Sequence, residues 1–263
     1  MKQYLFLFLL LTVLSSCSSE DDASFTIETE EDIIKYIADN NLNAVKTDSG
    51  LYYIVNNEGL GERPKEDSDV TLSLKGSYLN GNVFSENNTG AVNLKTQVQG
   101  LVEGLQLFKE GGDGILIIPS NLGFNNGSVL VIDLKLIDVI DNDADILKYL
   151  DENNLNATKT DSGLYYIMKE EGTGNKPTES STVTVAYKGY FLDGTVFDES
   201  DSAGITIGLN RVIAGWTEGI QLFKEGGEGM LLIPFNLAYG LQGVGDIPGG
   251  AVLVFDINLI TVN

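Results

Sequence analysis

The sequence predicts an α+β protein built from two copies of one module, each an antiparallel sheet curled around one short helix. Three observations support this fold class: a long internal repeat, alternating apolar residues typical of strands, and a short apolar stripe at helical spacing. The chain has 263 residues, 43% of them hydrophobic and 21% charged. That length and composition suit two folded domains of ordinary size.

The internal repeat is the strongest signal in the sequence. Segment 46–54 (KTDSGLYYI) recurs unchanged as 159–167, at an offset of 113 residues. The offset grows to 115 where segment 103–112 matches 218–227, and to 123 near the C-terminus. The second copy has therefore gained two residues in one loop and eight in another, which suggests that the two modules have different roles.

Each copy is predicted to open with a short amphipathic helix, over 31–39 and 145–153. The apolar residues at helical spacing in these segments are Ile33, Ile34, Ile37, Ile146, Leu147 and Leu150. A further short helix is predicted around Trp216, Ile220 and Phe223, which lie at i, i+4 and i+7. Its apolar stripe should pack on the sheet.

Strands follow the first helix of each copy. Segment 164–169 is tyrosine-rich, and segments 183–187 and 251–262 alternate apolar and polar residues. The glycine-rich segment 243–250 leads into a strand, whereas a phosphate-binding loop precedes a helix. We therefore expect this segment to be a mobile loop over a pocket.

Charge and composition exclude several classes of function. The 38 acidic and 16 basic residues give a net charge near −22, which would repel phosphate backbones, so nucleic acid is not expected as a partner. The chain has no histidine and one cysteine, which excludes Ser-His and Cys-His nucleophile pairs and His/Cys zinc sites. We expect no metal and no cofactor.

The N-terminal segment is typical of an export signal. The apolar run 4–14 is too short to span a bilayer and ends in LSSC at Cys17, which resembles the lipobox of bacterial lipoproteins. We predict a signal peptide over 1–16, a lipid on Cys17 and a flexible acidic tether over 17–28. An ordinary secretory signal that contains a cysteine is the alternative. The expected location is the cell envelope, lipid-anchored in the outer membrane, facing the periplasm or exposed at the surface.

Three segments of the second copy together resemble the FK506-binding (FKBP-type) peptidyl-prolyl isomerases, over about 100 residues from 162 to 261. They are VAYKG with GTVFD at 185–198, VIAGWTEG at 212–219, and AYG at 238–240 followed by a loop and LVFD at 253–256. Each aromatic residue alone is more typical of a hydrophobic core. The combination with a tyrosine and an aspartate at loop edges favours a cleft.

The resemblance implies a role for each of these residues. Tyr187, Phe197, Trp216 and Phe255 would form an apolar cleft, Tyr239 would donate its hydroxyl to a substrate carbonyl, and Asp198 would lie at the rim, with substrate also bound by Val212, by the Ile213 backbone amide and by Ile247. The substrates would be proline-containing polypeptides. Rotation about an X-Pro bond breaks no covalent bond, so it requires neither a nucleophile nor a metal.

The second copy departs from the family pattern at three positions. Ala203 and Ile205 stand where the family often has aromatic residues, and Asp246 stands where an apolar residue of the loop is usual. We therefore expect a cleft that is more open and more acidic than is common in the family.

The first copy lacks the corresponding cleft residues. Aligning the repeats places Leu74, Ser85, Leu101, Phe124 and Ile132 opposite Tyr187, Asp198, Trp216, Tyr239 and Phe255, and only Phe84 keeps its counterpart. Segment 125–127 (NNG) replaces the whole glycine-rich loop and is predicted to form a tight turn between strands.

The sequence thus predicts a degenerate FKBP-like domain over 29–139 and an isomerase domain with an intact cleft over 140–263. The leading hypothesis is a lipid-anchored prolyl isomerase that assists the folding of exported proteins. Two alternatives stay open at this point: a non-enzymatic binder or chaperone of proline-containing segments, and a surface protein whose folds serve only as scaffold.

Overall fold

The computed structural model describes residues 27–263, except for the side chains of residues 87 and 88. Within that range the chain forms two antiparallel sheets, one in each copy of the repeat. The α-helices are α1 (Glu30–Asp39), α2 (Gln99–Leu105), α3 (Asn142–Glu152) and α4 (Ala214–Ile220). This arrangement confirms the predicted α+β class with two modules.

The sheet of the first module has the strand order β1-β2-β5-β6-β3-β4, with antiparallel neighbours throughout. Its strands are β1 (Val45–Lys46), β2 (Tyr52–Asn57), β3 (Asp69–Tyr78), β4 (Val83–Asn93), β5 (Asp113–Ile118) and β6 (Leu130–Ile140). Leu101 and Leu105 of α2 belong to the core on one face of this sheet.

The sheet of the second module has the order β10-β9-β13-β12-β8-β7, and β11 also pairs with β9. Its strands are β7 (Thr158–Lys159), β8 (Tyr165–Glu170), β9 (Thr182–Tyr190), β10 (Val196–Glu199), β11 (Ile205–Gly208), β12 (Glu228–Ile233) and β13 (Leu253–Val262). The long β4 of the first module thus corresponds to two shorter strands here. The break between them lies in the segment where the second copy has gained two residues.

Both faces of the second sheet are covered. Along β12, Leu231 and Ile233 belong to the core under α4, whereas Met230 and Leu232 belong to the core under α3. All four side chains are buried, which explains why this strand reads as an uninterrupted apolar run. The first module has the same arrangement, with α2 on one face of its sheet and Ile33 of α1 packed on the other.

The helices begin earlier than predicted. α1 begins one residue early, at Glu30, and α3 begins three residues early, at Asn142. The early start of α3 has a local cause, because the Asp141 side chain accepts a hydrogen bond of 3.1 Å from the Ala144 amide and caps the helix there. Phe223, the last residue of the predicted stripe, lies beyond the end of α4 but is fully buried.

The predicted domain boundaries lie next to a backbone hydrogen bond at residue 28 and next to the end of a strand at residue 140. The Glu28 amide donates to the Gly127 carbonyl at 2.8 Å, so the last residue of the predicted tether is bonded to the first module. The predicted boundary between residues 139 and 140 falls at the end of β6. The predicted signal peptide and Cys17 lie outside the described residues. Between residues 27 and 263, no helix is both long enough and apolar enough to cross a membrane.

Candidate active site

Trp216 forms the floor of a cleft in the second module. It lies on α4 and is only 5% exposed. Two glycines let this helix lie close to β12, because an added Cβ would be 2.3 Å from Ile233 at Gly215 and 2.5 Å from Leu231 at Gly219. A larger residue at either position would force the buried Ile233 or Leu231 side chain, or the helix itself, to shift.

Aromatic rings from three strands surround the indole. The Tyr187 ring of β9 lies 5.0 Å from the Trp216 ring, and the Phe255 ring of β13 lies 5.2 Å from it, both edge to face. Phe197 of β10 meets Phe255 at 5.5 Å in the same geometry. Edge-to-face contacts of this kind stabilise aromatic clusters and fix the ring orientations. The result is an apolar wall next to the Trp216 indole.

The cavity enclosed by these rings has a volume of about 570 Å³. All nine predicted protein-site residues line it: Tyr187, Phe197, Asp198, Val212, Ile213, Trp216, Tyr239, Ile247 and Phe255. Residues from three strands, loops and a helix therefore converge on one cavity. Their individual roles in binding or turnover stay a prediction.

The lining also contains residues that the sequence analysis did not select. Ile207, Arg211 and Val244 belong to it, together with two of the three departures from the family pattern, Ile205 and Asp246. The place of Arg211 directly before the VIAGWTEG segment is the one sequence signal that could have indicated it. Arg211 adds a positive group to a cleft that also carries the Asp198 and Asp246 carboxylates.

A hydrogen bond joins the wall of the cleft to its rim. The Tyr187 hydroxyl donates to Asp198 Oδ2 at 2.6 Å, and the Tyr187 amide donates to Ser200 Oγ at 2.9 Å. Burial raises the pKa of the Tyr187 phenol strongly, and the hydrogen bond to Asp198 raises it further. The phenol is therefore protonated at neutral pH and holds the carboxylate in place.

Two further hydrogen-bond donors belong to residues that line the cavity, the Tyr239 hydroxyl and the Ile213 amide. Tyr239 is 39% exposed at the mouth of the cavity. Ile213 precedes the first turn of α4 in an extended conformation, and its carbonyl accepts hydrogen bonds from the amides of Trp216 and Thr217. The Ile213 amide thus lies ahead of the hydrogen-bond ladder of the helix, where such donors lack helical partners.

The glycine-rich loop closes one side of the cavity. Val244 and Ile247 exchange two backbone hydrogen bonds of 2.9 Å, which form a tight turn. Ile247 packs against the core of the second module, whereas Val244 and Asp246 remain exposed. The loop therefore presents an apolar side chain to the cleft and a carboxylate at its edge.

Aliphatic core residues stand at two of the corresponding positions in the first module. Leu101 and Ile132, opposite Trp216 and Phe255, are 6% and 5% exposed and belong to the core. The Phe124 ring lies 5.8 Å from the Phe84 ring, edge to face. The retained Phe84 thus contacts Phe124, and the aliphatic replacements cannot form a broad aromatic cleft.

The short link of the first module differs from its prediction. A tight turn between two strands was expected over 125–127, but the link joins the 3₁₀ turn Ser120–Leu122 to β6. Asn125 has a positive φ of 52°, a conformation that asparagine tolerates. The short 3₁₀ turn was missed because three residues give no periodic signal.

A larger open groove of about 920 Å³ lies on the first module. Tyr52 is the single aromatic residue among its lining residues. The groove therefore lacks the cluster of aromatic rings that lines the cavity of the second module. Within the described part of the chain, no group of three or more acidic or sulfur ligands is arranged to hold a metal ion.

Comparison with known proteins identifies the family. The family model for FKBP-type peptidyl-prolyl cis-trans isomerases matches residues 61–147 and 173–260. The probable FKBP-type peptidyl-prolyl cis-trans isomerase FkpA of Neisseria meningitidis is 52% identical over 106 residues, which are 39% of each chain. FkpA of Escherichia coli K12 is 44% identical over 117 residues, 44% of this chain and 43% of that protein.

Among solved structures, the crystal structure of FkpA from Escherichia coli matches with 40% identity and a TM-score of 0.43, covering 47% of this chain and 60% of that one. The chain spans about two fifths of the length of the curated relatives that it matches. Because the family model covers most of both modules, the chain belongs to the FKBP-type peptidyl-prolyl cis-trans isomerase family.

Proposed function

We propose that the second module catalyses cis/trans isomerisation of X-Pro peptide bonds. The single observation that carries this proposal is the convergence of Tyr187, Trp216 and Phe255 on one cavity whose mouth holds the Tyr239 hydroxyl. Such a cavity offers apolar faces to a proline ring and one donor to a carbonyl. Family membership supports the same activity.

The chemistry needs shape and desolvation more than reactive groups. Rotation about the X-Pro bond faces a barrier of about 18 to 20 kcal/mol that arises from amide resonance. An apolar cleft that strips water from the amide carbonyl favours the twisted, less conjugated state. Lowering the barrier by about 4 to 7 kcal/mol accelerates rotation by about 10³ to 10⁵ fold.

Each group has a defined task in this proposal. Trp216 supports the proline ring from below, while the rings of Tyr187 and Phe255 flank it. The Tyr239 hydroxyl and the Ile213 amide each donate a hydrogen bond to a substrate carbonyl, which orients the chain across the cleft. Asp198 fixes the Tyr187 ring through the 2.6 Å hydrogen bond.

The first module serves a structural or binding role in the same proposal. It keeps the sheet and helix of the fold, but aliphatic Leu101 and Ile132 stand in its core where the second module has Trp216 and Phe255. We assign the first module to 29–139 and the second to 140–263.

The protein works in the cell envelope in this proposal, where it assists the folding of exported proteins. Support comes from the sequence, in which the apolar run 4–14 ends at Cys17, followed by an acidic stretch. A lipid on Cys17 would anchor the chain to a membrane, and the tether would give the modules reach.

A proline-peptide isomerisation assay on the full chain tests the activity and its place. Trp216→Ala should abolish most of the acceleration, whereas the matched Leu101→Ala in the first module should leave it unchanged. Loss of activity in both variants, or in neither, would contradict the assignment to the second module.

The same preparation separates catalysis from binding alone. Trp216 is the only tryptophan in the chain, so its fluorescence reports directly on the floor of the cleft. A proline peptide that shifts this fluorescence without any acceleration of isomerisation would favour the non-enzymatic binder.

A further inference from the structure

A buried asparagine lies directly after the strand that ends the first module. Asn142 is the first residue of α3 and is only 8% exposed. Among the residues that the structure describes, it is the one polar or charged side chain in the buried class. Burying an amide costs free energy unless both its donor and its acceptor find partners.

Both functional groups of this amide are satisfied by backbone far away in the sequence. Asn142 Nδ2 donates to the Gly250 carbonyl at 2.9 Å, and Asn142 Oδ1 accepts from the Phe235 amide at 2.7 Å. These partners are 108 and 93 residues away. The side chain therefore joins the two ends of the segment that carries Tyr239 and the glycine-rich loop.

These contacts complete a closed ring of hydrogen bonds. The Phe235 carbonyl accepts from the Gly240 amide at 2.8 Å, and the Gly240 carbonyl accepts from the Gly250 amide at 3.0 Å. Asn142 closes the ring between Gly250 and Phe235. Tyr239 lies between Phe235 and Gly240, which the first of these hydrogen bonds joins. The loop that presents Ile247 begins at Gly240 and ends at Gly250, which the second one joins.

The first module closes its shorter loop by other means. Thr29, opposite Asn142 in the repeat, donates its hydroxyl to Asp32 of its own helix. The Gly127 amide donates instead to Ser120 Oγ at 2.7 Å, and Ser120 stands opposite Phe235. The asparagine bridge thus occurs in the module that has a cleft, where a phenylalanine has replaced the serine.

We propose that Asn142 is a positioning residue of the isomerase cleft, which holds Tyr239 and the glycine-rich loop in their working geometry. This inference rests on the proposed function of the second module. Because Asn142 is the first residue of α3, the geometry of the cleft depends on how this helix of the second module begins.

Removing the amide tests the role. In the full chain, Asn142→Ala should lower kcat/KM for a proline peptide by about 5- to 20-fold, because a displaced hydroxyl and loop no longer match the rotating bond. Ser120→Ala, which breaks the equivalent link in the first module, is the matched control and should leave kcat/KM unchanged. Circular dichroism at the assay temperature establishes that each variant is folded.

A second variant gives a readout that a purely structural role would not move. Asn142→Asp keeps an acceptor for the Phe235 amide, but its ionised form faces the Gly250 carbonyl with a second oxygen and no donor. Burial and the neighbouring Asp145 carboxylate, which the wild-type Asn142 side chain contacts, raise the pKa of such a carboxyl, and the protonated form regains the donor. The ratio of its kcat/KM to that of the wild type should therefore rise as the pH falls from 7 to 5.

Two outcomes would overturn the proposal. One is a folded Asn142→Ala chain with wild-type kcat/KM, and the other is a ratio for Asn142→Asp that does not change with pH. Amide hydrogen exchange at Gly240 and Gly250 reads the positioning without any assay of activity, and it should be faster in Asn142→Ala. An inactive wild-type protein would contradict only the proposed function. Hydrogen exchange would still test the role of Asn142, because equal exchange rates at Gly240 and Gly250 in Asn142→Ala and in the wild type would contradict that role.

Discussion

The Tyr187 hydroxyl donates a 2.6 Å hydrogen bond to Asp198, which joins the aromatic wall of the second module to its polar rim. The same tyrosine ring lies edge to face on Trp216 at 5.0 Å. One side chain therefore connects the floor of the cleft with the carboxylate at its mouth. Charge-assisted hydrogen bonds of this kind are stronger than neutral ones and fix geometry well.

Removing this hydroxyl should weaken activity without unfolding the module. Tyr187→Phe keeps the ring on Trp216 but frees the Asp198 carboxylate, so we expect kcat/KM to fall about 2- to 12-fold, equivalent to about 0.5 to 1.5 kcal/mol. Peptide isomerisation with unchanged circular dichroism checks this. An effect larger than that of Trp216→Ala would show that the hydroxyl acts on the substrate directly.

The titration of Tyr187 provides an independent check. Burial, aided by Asp198, raises its pKa above the ordinary value of about 10. The stabilisation linked to the neutral phenol is therefore complete below pH 10 and is lost as the pH rises toward the raised value. Ultraviolet titration should show fewer late-ionising tyrosines in Tyr187→Phe than in the wild type.

The aromatic rings of the cleft should contribute more to kcat/KM than the single hydrogen-bond donor at its mouth. Trp216→Ala and Phe255→Ala each remove a buried aromatic surface worth about 1.5 to 3 kcal/mol, so kcat/KM should fall about 10- to 150-fold. Tyr239→Phe removes one hydroxyl and should cost about 2- to 12-fold. Assays at a temperature where all three variants are folded decide the order. The opposite ranking would mean that the Tyr239 hydrogen bond, and not desolvation, dominates.

Neutralising two aspartates on α3 should change the free energy of unfolding in opposite directions. The Lys159 ammonium chiefly, and then the Tyr165 hydroxyl, lower the pKa of Asp143. Burial chiefly, and then the Asp138 and Asp141 carboxylates, raise the pKa of Asp145. At pH 7, Asp143→Asn should reduce the free energy of unfolding and Asp145→Asn should increase it. Each change should be less than about 1 kcal/mol, because both side chains meet solvent.

The pH dependence of the two variants tests whether the ionised form of each aspartate stabilises or destabilises the fold. The contribution of Asp143 is complete above the ordinary aspartate pKa near 3.9 and is lost as the pH falls toward its lowered value. The penalty of ionised Asp145 is absent at low pH and appears as the pH rises through its raised pKa. Urea unfolding at pH 7 and pH 3 should therefore show both differences shrinking in acid. Differences that persist unchanged at pH 3 would exclude a titration origin.

Sequence reasoning reached the fold and the predicted cleft lining because both leave local signals. The repeat fixed the number of modules, and residues such as Trp216 and Tyr239 belong to short motifs whose parts can be read separately. Asn142 could not be found this way, because its partners Phe235 and Gly250 are distant in the sequence and are contacted through the backbone. Arg211 was missed for a related reason, since no periodic pattern tells which way a residue before a short helix points.

The proposed lipid anchor can be tested apart from the proposed isomerase activity. Cys17→Ala should release the protein from membranes, because the apolar run 4–14 ends at this lone cysteine and no other thiol could carry the lipid. Fractionation followed by a salt and carbonate wash measures the release, and isomerase activity of the released chain controls for folding. A variant that stays with the membrane after the wash would place the anchor elsewhere.

The first module should fold alone and show no isomerase activity. Folding of residues 29–139 is expected because Val70 and Leu72 of β3 and Leu105 of α2 are fully or nearly fully buried within one module-specific core. Activity should be absent because aliphatic Leu101 cannot provide the broad floor of an indole. The short loop after Phe124 also leaves nothing to close over a proline ring and exclude water.

Restoring one hydroxyl should not create the missing activity. In Phe124→Tyr the side chain, half exposed in the wild type, would present its hydroxyl to solvent, where the net gain from a hydrogen bond is small. The isolated first module and this variant can be compared with the full chain in the same peptide assay. A rate well above the uncatalysed one in either would mean that the alignment of Leu101 with Trp216 is wrong, because a module with that core has no aromatic cleft to offer.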